Sequence, residues 1–535
     1  MVTSDPSRAG TREWVGLAVL SLAALVYVMD LTVLDLAVPA ISRDLHPSSV
    51  QLLWIIDIYG FVVAGFLVTM GAVGDRVGRR KLLLVGAGAF GLISILSAIS
   101  ISPEMLIASR VLLGIAGATI APSTLSLIFN MFKDPGQRAR AISIWISAFS
   151  AGSAIGPVVG GVLLEHFWWG SVFLIALPVM ALLLVLGPIV LPEFRAPDAG
   201  RLDLVSAIMS LVAVLAVVFG IKQSAQDGLS AVSLASIAVG VFVGLLWTRR
   251  QRTSADPMID LGLFRIPSFN ASLVVNFLTI FVAIGYFLFV AQYLQLVVCL
   301  SPLVAGLCSV PSAIGFIVGS NLAPPLVRRY RPATVMGGFL ALAAVGLVML
   351  TQAGVANSLG LVIAASVVIA VGLAPVLTLT TDLIVGSAPP ERAGAASGIS
   401  ETAVELGGAL GLSVLGSLGL AIYRGDLARL PAAVPPDAAA AARDTLGGAV
   451  KVAAMLPNSL GMAVLDVSRG AFVQAMQVAA SISAIAALAV AAFAFAALRH
   501  VPTRAAESAE QAKPITDTDC FGRTRGCVPE AVPET

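Results

Sequence analysis

Five ionisable residues of this 535-residue chain stand deep inside long apolar stretches, away from their ends: Asp30, Asp57, Arg110, Glu401 and Glu405. Placing such a group in a hydrocarbon layer costs about 2.5–3.5 kcal/mol even on lenient scales, so each points to a protein interior or a wetted cavity. Asp30 lies eight residues from the far end of the first apolar run, Asp57 about six residues into the second and Arg110 about five into the fourth. At about 1.5 Å per helical residue these three share nearly one depth, which predicts a cluster of two acids and a base. Glu401 and Glu405 are one helical turn apart and share a face near the middle of a late apolar run. Asp35 lies nearer the surface. A carboxyl group in such a place carries a proton in one state and attracts a cation in the other. The same residues therefore suit proton coupling and cation binding, and their spacing does not divide the two roles. The plainer alternatives are a structural pair between one acid and Arg110, and wetting of Asp35 and Asp57 by an outer vestibule.

The surrounding composition explains why so few charges are informative. Hydrophobic residues make up 58% of the chain and charged ones 12%, about half the usual share of roughly 25%. Mean hydropathy is +0.96. An ordinary soluble enzyme, a disordered chain and a nucleic-acid binder are excluded, and the net charge of +2 provides no strong field for an acidic partner. The three histidines, His46, His166 and His500, all fall outside the apolar runs. With no nucleophile–base arrangement and no ligand cluster, neither catalytic residues nor a metal or cofactor is expected. Cys299 and Cys308 lie in apolar segments, and Cys520 and Cys527 in a polar tail, which indicates neither a zinc site nor a disulfide framework. The first apolar run, from Trp14, is too long for a signal peptide and lacks a cleavage site.

Fourteen apolar runs are readable: 14–38, 51–70, 82–101, 105–129, 140–163, 169–191, 202–221, 229–247, 269–293, 302–326, 333–351, 358–383, 394–422 and 471–497. In lipid these must be helices, because an open sheet leaves backbone groups unsatisfied and barrel strands would be shorter and alternating. The expected fold is an all-α integral membrane protein of two six-helix pseudo-repeats with two inserted central helices. Of 32 Lys and Arg, 24 fall in loops after even-numbered runs or in the tails. Seven follow odd-numbered runs (Arg43, Lys222, Arg424, Arg429, Arg443, Lys451 and Arg469), and Arg110 is intramembrane. The positive-inside rule then places both termini in the cytoplasm of a multi-pass plasma-membrane protein. The organisation read from these runs is a cytoplasmic N-terminal tail (1–13), a six-helix bundle (14–191), two inserted helices with a basic linker (192–268), a second six-helix bundle (269–500) and a disordered cytoplasmic tail (501–535). A long outer loop spans 424–470, and 437–456 has the pattern of an amphipathic hairpin or helix. A monomer is expected, with small molecules, protons and the bilayer as partners.

Two further constellations stand out. Gly152, Gly156 and Gly160 repeat every four residues and form a smooth face for close helix contact, with Pro157 permitting a kink and Gly161 beside it. Gly407, Gly408, Gly411 and Gly416 form a similar stripe. Between the second and third runs, Gly71-Ala-Val-Gly-Asp-Arg-Val-Gly-Arg-Arg-Lys81 makes a tight basic turn, in which Asp75 can accept from helix N-terminal amides. Ser320-Asn-Leu-Ala-Pro-Pro-Leu-Val-Arg-Arg-Tyr330 occupies the matching place in the second half.

The order Gly71, Asp75, Arg76, Gly78, Arg79, Arg80 resembles the signature loop of the major facilitator superfamily. Leu106–Gly114 is similar to its fourth-span pattern with a buried Arg, although Leu113 stands where Gln is usual. Gly152, Gly156, Pro157, Gly160 and Gly161 match its antiporter pattern. Met29–Pro39 is similar to the first-span pattern of fourteen-helix drug exporters, with Asp35 in place of Asn. Ile399–Gly411, Trp54–Tyr59 and the long last outer loop resemble the branch that exports quaternary ammonium compounds and ethidium-like dyes. The resemblance implies proton-coupled export of lipophilic cations, with Asp30, Asp57 and an acid on the thirteenth span handling protons and cations. It also implies that the 71–80 loop stabilises the outward-open state and that the fifth-span pattern favours export. Tyr27, Tyr59, Phe281 and Tyr286 are aromatic candidates for contact with a cation. The competing expectation is a same-fold exporter of a self-made antibiotic or another neutral or anionic metabolite. A membrane-embedded enzyme lacks its chemistry here, and a sensor or scaffold lacks a signalling domain.

Overall fold

The computed structural model describes residues 9–47, 49–195, 203–227, 230–254, 257, 259, 261–431 and 433–503. Almost all of them are helical, and no strand occurs among the described residues. The helices are α1 (Thr11–Leu45), α2 (Ser49–Val77), α3 (Arg79–Ala98), α4 (Pro103–Gly117), α5 (Ile120–Met131), α6 (Pro135–His166), α7 (Ser171–Leu174), α8 (Ala176–Val190), α9 (Leu204–Asp227), α10 (Ala231–Thr253), α11 (Pro267–Gln292), α12 (Pro302–Arg329), α13 (Pro332–Leu350), α14 (Leu359–Gly386), α15 (Ala393–Asp426), α16 (Pro436–Asp444), α17 (Leu446–Ala453) and α18 (Asn458–Leu498). Among the described residues, fourteen segments are long and apolar enough to cross a membrane. α4–α5 and α7–α8 each make one crossing, and α16 and α17 make none. The chain is a multi-pass membrane protein.

Helix starts follow local chemistry. Proline opens α4, α6, α11, α12 and α13, where its missing N–H costs nothing. Side chains of Ser102, Asp134, Ser230 and Ser301 cap four of the helices by accepting from backbone amides. The fourth crossing, expected to be continuous over 105–129, is interrupted at Ala118–Thr119. Pro122 accounts for this, because it has no N–H to offer Ala118 and its ring crowds that carbonyl.

Apolar packing collects into two large cores. One is built from residues between Leu17 and Leu191 with Val385 and Ala393 added from the second half, the other from residues between Ala271 and Leu498. A smaller cluster, with Val68, Ala72, Ala207, Ile384 and Ile399, lies where α2, α9, α14 and α15 meet. The inserted helices α9 and α10 pack on each other, and α9 also packs on α2 and α15. Their ends are pinned at Asp203, which accepts two hydrogen bonds from Arg250 (2.9 and 3.1 Å) and one from the Ser206 hydroxyl (2.6 Å). The Arg250 hydrogen bonds hold the Asp203 carboxyl below the usual carboxylate range, with Ser206 adding to the effect.

The segment expected as a long loop over 424–470 is mostly helical. α15 continues to Asp426, α16 and α17 form a short hairpin, and α18 begins at Asn458. The hairpin over 437–456 is legible in the sequence, whereas the first turns of α18 are hidden there by Asp466, Arg469, Gly461 and Gly470 in an otherwise apolar pattern. Val464 and Ser468 bury one side of that extension. Tyr423 donates to the Ala442 carbonyl at 2.9 Å and ties the hairpin to the end of α15.

Candidate functional site

The buried charges divide into two places rather than one. Arg110 on α4 is fully buried and donates to Asp30 on α1 at 2.6 Å, and the Asp30 side chain is only 7% exposed. Arg110 also donates to the Ile55 carbonyl at 3.4 Å and lies over the Tyr59 ring, 4.6 Å from its centroid. Asp30 lines a narrow crevice with Val26, Met29, Phe173 and Ala176. Asp57 stands apart from this pair. Its partner is Lys222 of α9 at 3.3 Å, and the two side chains are 38% and 28% exposed. The expected three-residue cluster is therefore one buried pair and one half-exposed pair. Depth alone does not reveal the second, because Lys222 reads as a loop residue in the sequence and is carried on the inserted helix in the structure.

Glu401 and Glu405 are half-buried on α15, and neither makes a hydrogen bond or ion pair with another described residue. Tyr27 of α1 is within electrostatic reach of both, and of Asp30. Around Tyr27 lie Tyr59 (ring centroids 6.3 Å apart) and Phe149 (6.2 Å), with Trp145 stacked edge-on against Phe149 at 4.6 Å. The Tyr59 hydroxyl is buried with no partner among the described residues. The arrangement is thus an aromatic patch between a paired acid of the first half and two acids of the second that make no hydrogen bond or ion pair among the described residues. Tyr27, Tyr59 and Trp145 are buried, so in this arrangement their rings pack on one another and on the protein. Of the other aromatic candidates, Tyr286 lies buried within the second core and Phe281 packs against it.

The junction of α2 and α3 is a closure element; the turn expected over 71–81 is reduced to Gly78, with 71–77 forming the last turns of α2 and 79–81 the first turn of α3. Asp75 accepts from Arg79 in a buried pair at 2.7 Å, and its two oxygens take the backbone amides of Gly394 (3.0 Å) and Ala395 (2.9 Å) at the start of α15. Arg79 reaches across to the Pro390 carbonyl at 2.7 Å. A carboxylate at a helix N-terminus is favoured by the free amides and the dipole there. Gly78 sits at φ +114°, a conformation that a side chain resists. A Cβ on Gly71 would strike the Gly394 carbonyl, so this contact depends on glycine on both strands of chain. Arg76 donates to Ala72 and Pro257 carbonyls at 3.2 and 3.3 Å. Arg80 donates to the Leu191 carbonyl at 3.0 Å and pairs with Glu193 at 3.6 Å, whose carboxylate also accepts the amides of Arg80 and Lys81.

A second set of contacts closes the same face on the other side. Arg138 of α6 donates to Asp382 of α14 at 3.3 Å. Ser320 donates to the Ser143 carbonyl at 3.0 Å, and Asn321 to the Ser147 hydroxyl at 3.0 Å. The sequence does not single out Arg138, Asp382 or Glu193, since charges at helix ends read as ordinary loop decoration.

The glycine stripe of α6 faces α1. Cβ atoms on Gly152, Gly156 and Gly160 would meet Leu25, Thr32 and Val33. Gly161 has open space beside it, and the side chains of Asp35 and Pro157 lie outside the described residues. The stripe of α15 is used in the same way, with Gly407 and Gly411 against the Phe277 and Phe281 backbone of α11.

Comparison with known proteins accords with this architecture. The model of the Major Facilitator Superfamily matches residues 20–412. The chain is 45% identical to the multidrug efflux pump LfrA of Mycolicibacterium smegmatis, over 93% of this chain and 99% of that protein. It is 35% identical to the methyl viologen resistance protein SmvA of Salmonella typhimurium (88% and 95% covered). It is 34% identical to the tetracenomycin C resistance and export protein of Streptomyces glaucescens (94% and 93%). The human organic anion transporter MFSD10 (TETRAN) shares its fold, with TM-score 0.58 and 16% identity over 89% of this chain and 99% of that one. The chain belongs to the Major Facilitator Superfamily.

Proposed function

We propose that this protein is a proton-coupled multidrug antiporter that exports lipophilic cations, such as quaternary ammonium compounds and ethidium-like dyes, across the plasma membrane. The observation that carries the reading is the pair Glu401 and Glu405, two acids that make no hydrogen bond or ion pair with another described residue, set within electrostatic reach of Tyr27 and its aromatic neighbours. LfrA and SmvA, named for multidrug efflux and methyl viologen resistance, support it. Both termini and the 71–81 loop are read as cytoplasmic from the Lys and Arg distribution. On that orientation the contacts of Asp75, Arg79 and Arg138 close the cytoplasmic face.

The cycle follows from charge balance. From the outer side, protons reach the acids and neutralise them, which releases a bound cation. The loaded carboxyls let the closed face open, protons leave to the cytoplasm, and a cation from the cytoplasm or inner leaflet takes their place on the acids and rings. One carboxylate cannot hold both at once, which couples the two movements. Exchange of one proton for a monocation is electroneutral and is driven by about 1.4 kcal/mol per pH unit. A dication against one proton works against the potential, at about 2.3 kcal/mol per 100 mV. Titration of two acids, such as Glu405 with Asp30 or Glu401, removes that penalty. Each six-helix bundle, 14–191 and 269–500, moves as a body in this reading, and a monomer suffices.

The test is dye efflux from an efflux-deficient host, with proton release from inverted vesicles. Asp30→Asn and Glu405→Gln are each expected to slow efflux of ethidium at least about tenfold. Parent-rate export by both variants removes these carboxylates from the coupling. A second reading, export of a neutral or anionic metabolite by the same fold, is favoured by the tetracenomycin C relative. Export that persists in both variants, together with indifference to lipophilic cations, selects it.

A further inference from the structure

α9 belongs to neither repeated unit, yet it is the element that brings a cation to the acids. Along α2 it is fitted closely. A Cβ on Gly65 would run into Leu211 and Leu215, and Phe61 and Phe219 stand with ring centroids 6.4 Å apart. On its other side α9 packs against α15, the helix of Glu401 and Glu405. One turn beyond Phe219, Lys222 extends its ammonium to within 3.3 Å of Asp57 Oδ1. It is also within electrostatic reach of Glu405. A single ammonium thus pairs with an acid of α2 from a helix that also packs on the helix of Glu401 and Glu405. Its pair with Asp57 is half-exposed, and pairs of that kind are weak and exchange readily. A lysine suits such a role, since its charge is compact and its stem flexible, without the fixed fork of arginine.

We propose that Lys222 is a tethered counter-cation of the acid site and a specificity-determining residue. It covers the carboxylate charge of Asp57 and Glu405 while no substrate is bound, and its tether keeps the ammonium in the site, where it repels an incoming cation in proportion to that cation's charge. This deepens the reading of Glu405 as a cation-binding group and rests on it. The consequence is a charge rule. Removing the ammonium leaves the site one unit more negative, and the gain for a ligand scales with the ligand's own charge. A monocation then gains about fivefold in affinity, the size expected of one weakly screened pair. A dication gains the square of that factor, about 25-fold.

The experiment measures binding of tetraphenylphosphonium and of methyl viologen to the purified full chain at pH 8, in lipid nanodiscs. Lys222→Gln is expected to tighten the first about fivefold and the second about 25-fold, while Lys222→Arg stays within about twofold of the parent for both. Folding is controlled within one preparation. Lys222→Cys, in a chain whose four native cysteines are replaced, is measured before and after reaction with 2-aminoethyl methanethiosulfonate. Restoring the ammonium returns both affinities to the parent values. Unchanged or weaker binding in Lys222→Gln, or equal gains for the two probes, overturns the role of Lys222 while leaving the cation site standing. Failure of the parent chain to bind either probe overturns both.

Discussion

The corners at 71–81 and 320–330 occupy matching places in the two pseudo-repeats, yet they close the same face by different chemistry. At the first, Asp75 joins Arg79 in a buried pair and caps the start of α15 with both oxygens. At the second, Pro324 stands where Asp75 does, within a Pro324-Pro325 step inside α12 that offers no charge. Contact there passes through the hydroxyl and amide of Ser320 and Asn321 to α6, with Ser320 also against Thr378 at 2.9 Å. The nearest ionic contact on that side, Arg138 with Asp382, comes from outside the corner altogether. Symmetry of the backbone therefore does not carry symmetry of the latch. One side is held by a charge whose loss leaves another charge stranded, the other by neutral hydrogen bonds that can break singly.

The largest effect is expected for Asp75→Asn. It leaves Arg79 buried without its counter-charge and weakens the cap on α15, at a cost of about 3 kcal/mol to the closed face, or about 100-fold in its population relative to the open one. The check is the reaction of Ser397→Cys, a buried position of α15 beside this contact, with an impermeant maleimide in inverted vesicles lacking the native cysteines. Gly394→Ala is expected to fall between the extremes. Its Cβ would press on the Gly71 carbonyl at 2.7 Å and on the Asp75 carboxylate, and overpacking of this kind costs about 2 kcal/mol. Ser320→Ala should cost least, about 1 kcal/mol for neutral hydrogen bonds, and should raise maleimide reactivity less than tenfold. Equal responses to Asp75→Asn and Ser320→Ala would abolish the contrast between the corners.

Long-range partners explain where sequence reading stops. The crossings are legible because length and hydropathy are local properties, and the pairing of Asp30 with Arg110 follows from a shared depth. Asp75 is recognisable in its motif at the end of α2, but the amides it caps lie at Gly394 and Ala395, more than 300 residues on. Asp57 is readable as lying near one end of its helix, and its partner is not, because Lys222 sits at the end of an inserted helix with no counterpart in the repeats. The break at Ala118–Thr119 has a local signal in Pro122, overridden by the apolar run around it. Asp466 and Arg469 interrupt the apolar pattern ahead of the last crossing, although that stretch continues the helix.

The length of α18 has a mechanical consequence. Its 41 residues extend about 60 Å, twice the roughly 30 Å of hydrocarbon. The turns from Asn458 to Gly470 stand beyond the apolar run at 471–497, with α17 packed on the helix. That projection is a lever arm rigidly continuous with the second core and absent from the first. A tilt of about 10° in the helix would carry its tip, some 20 Å from the apolar run, through about 3–4 Å. A fluorophore or binding protein fixed there would read the rocking of one bundle, amplified, from the water on the face opposite Asp75.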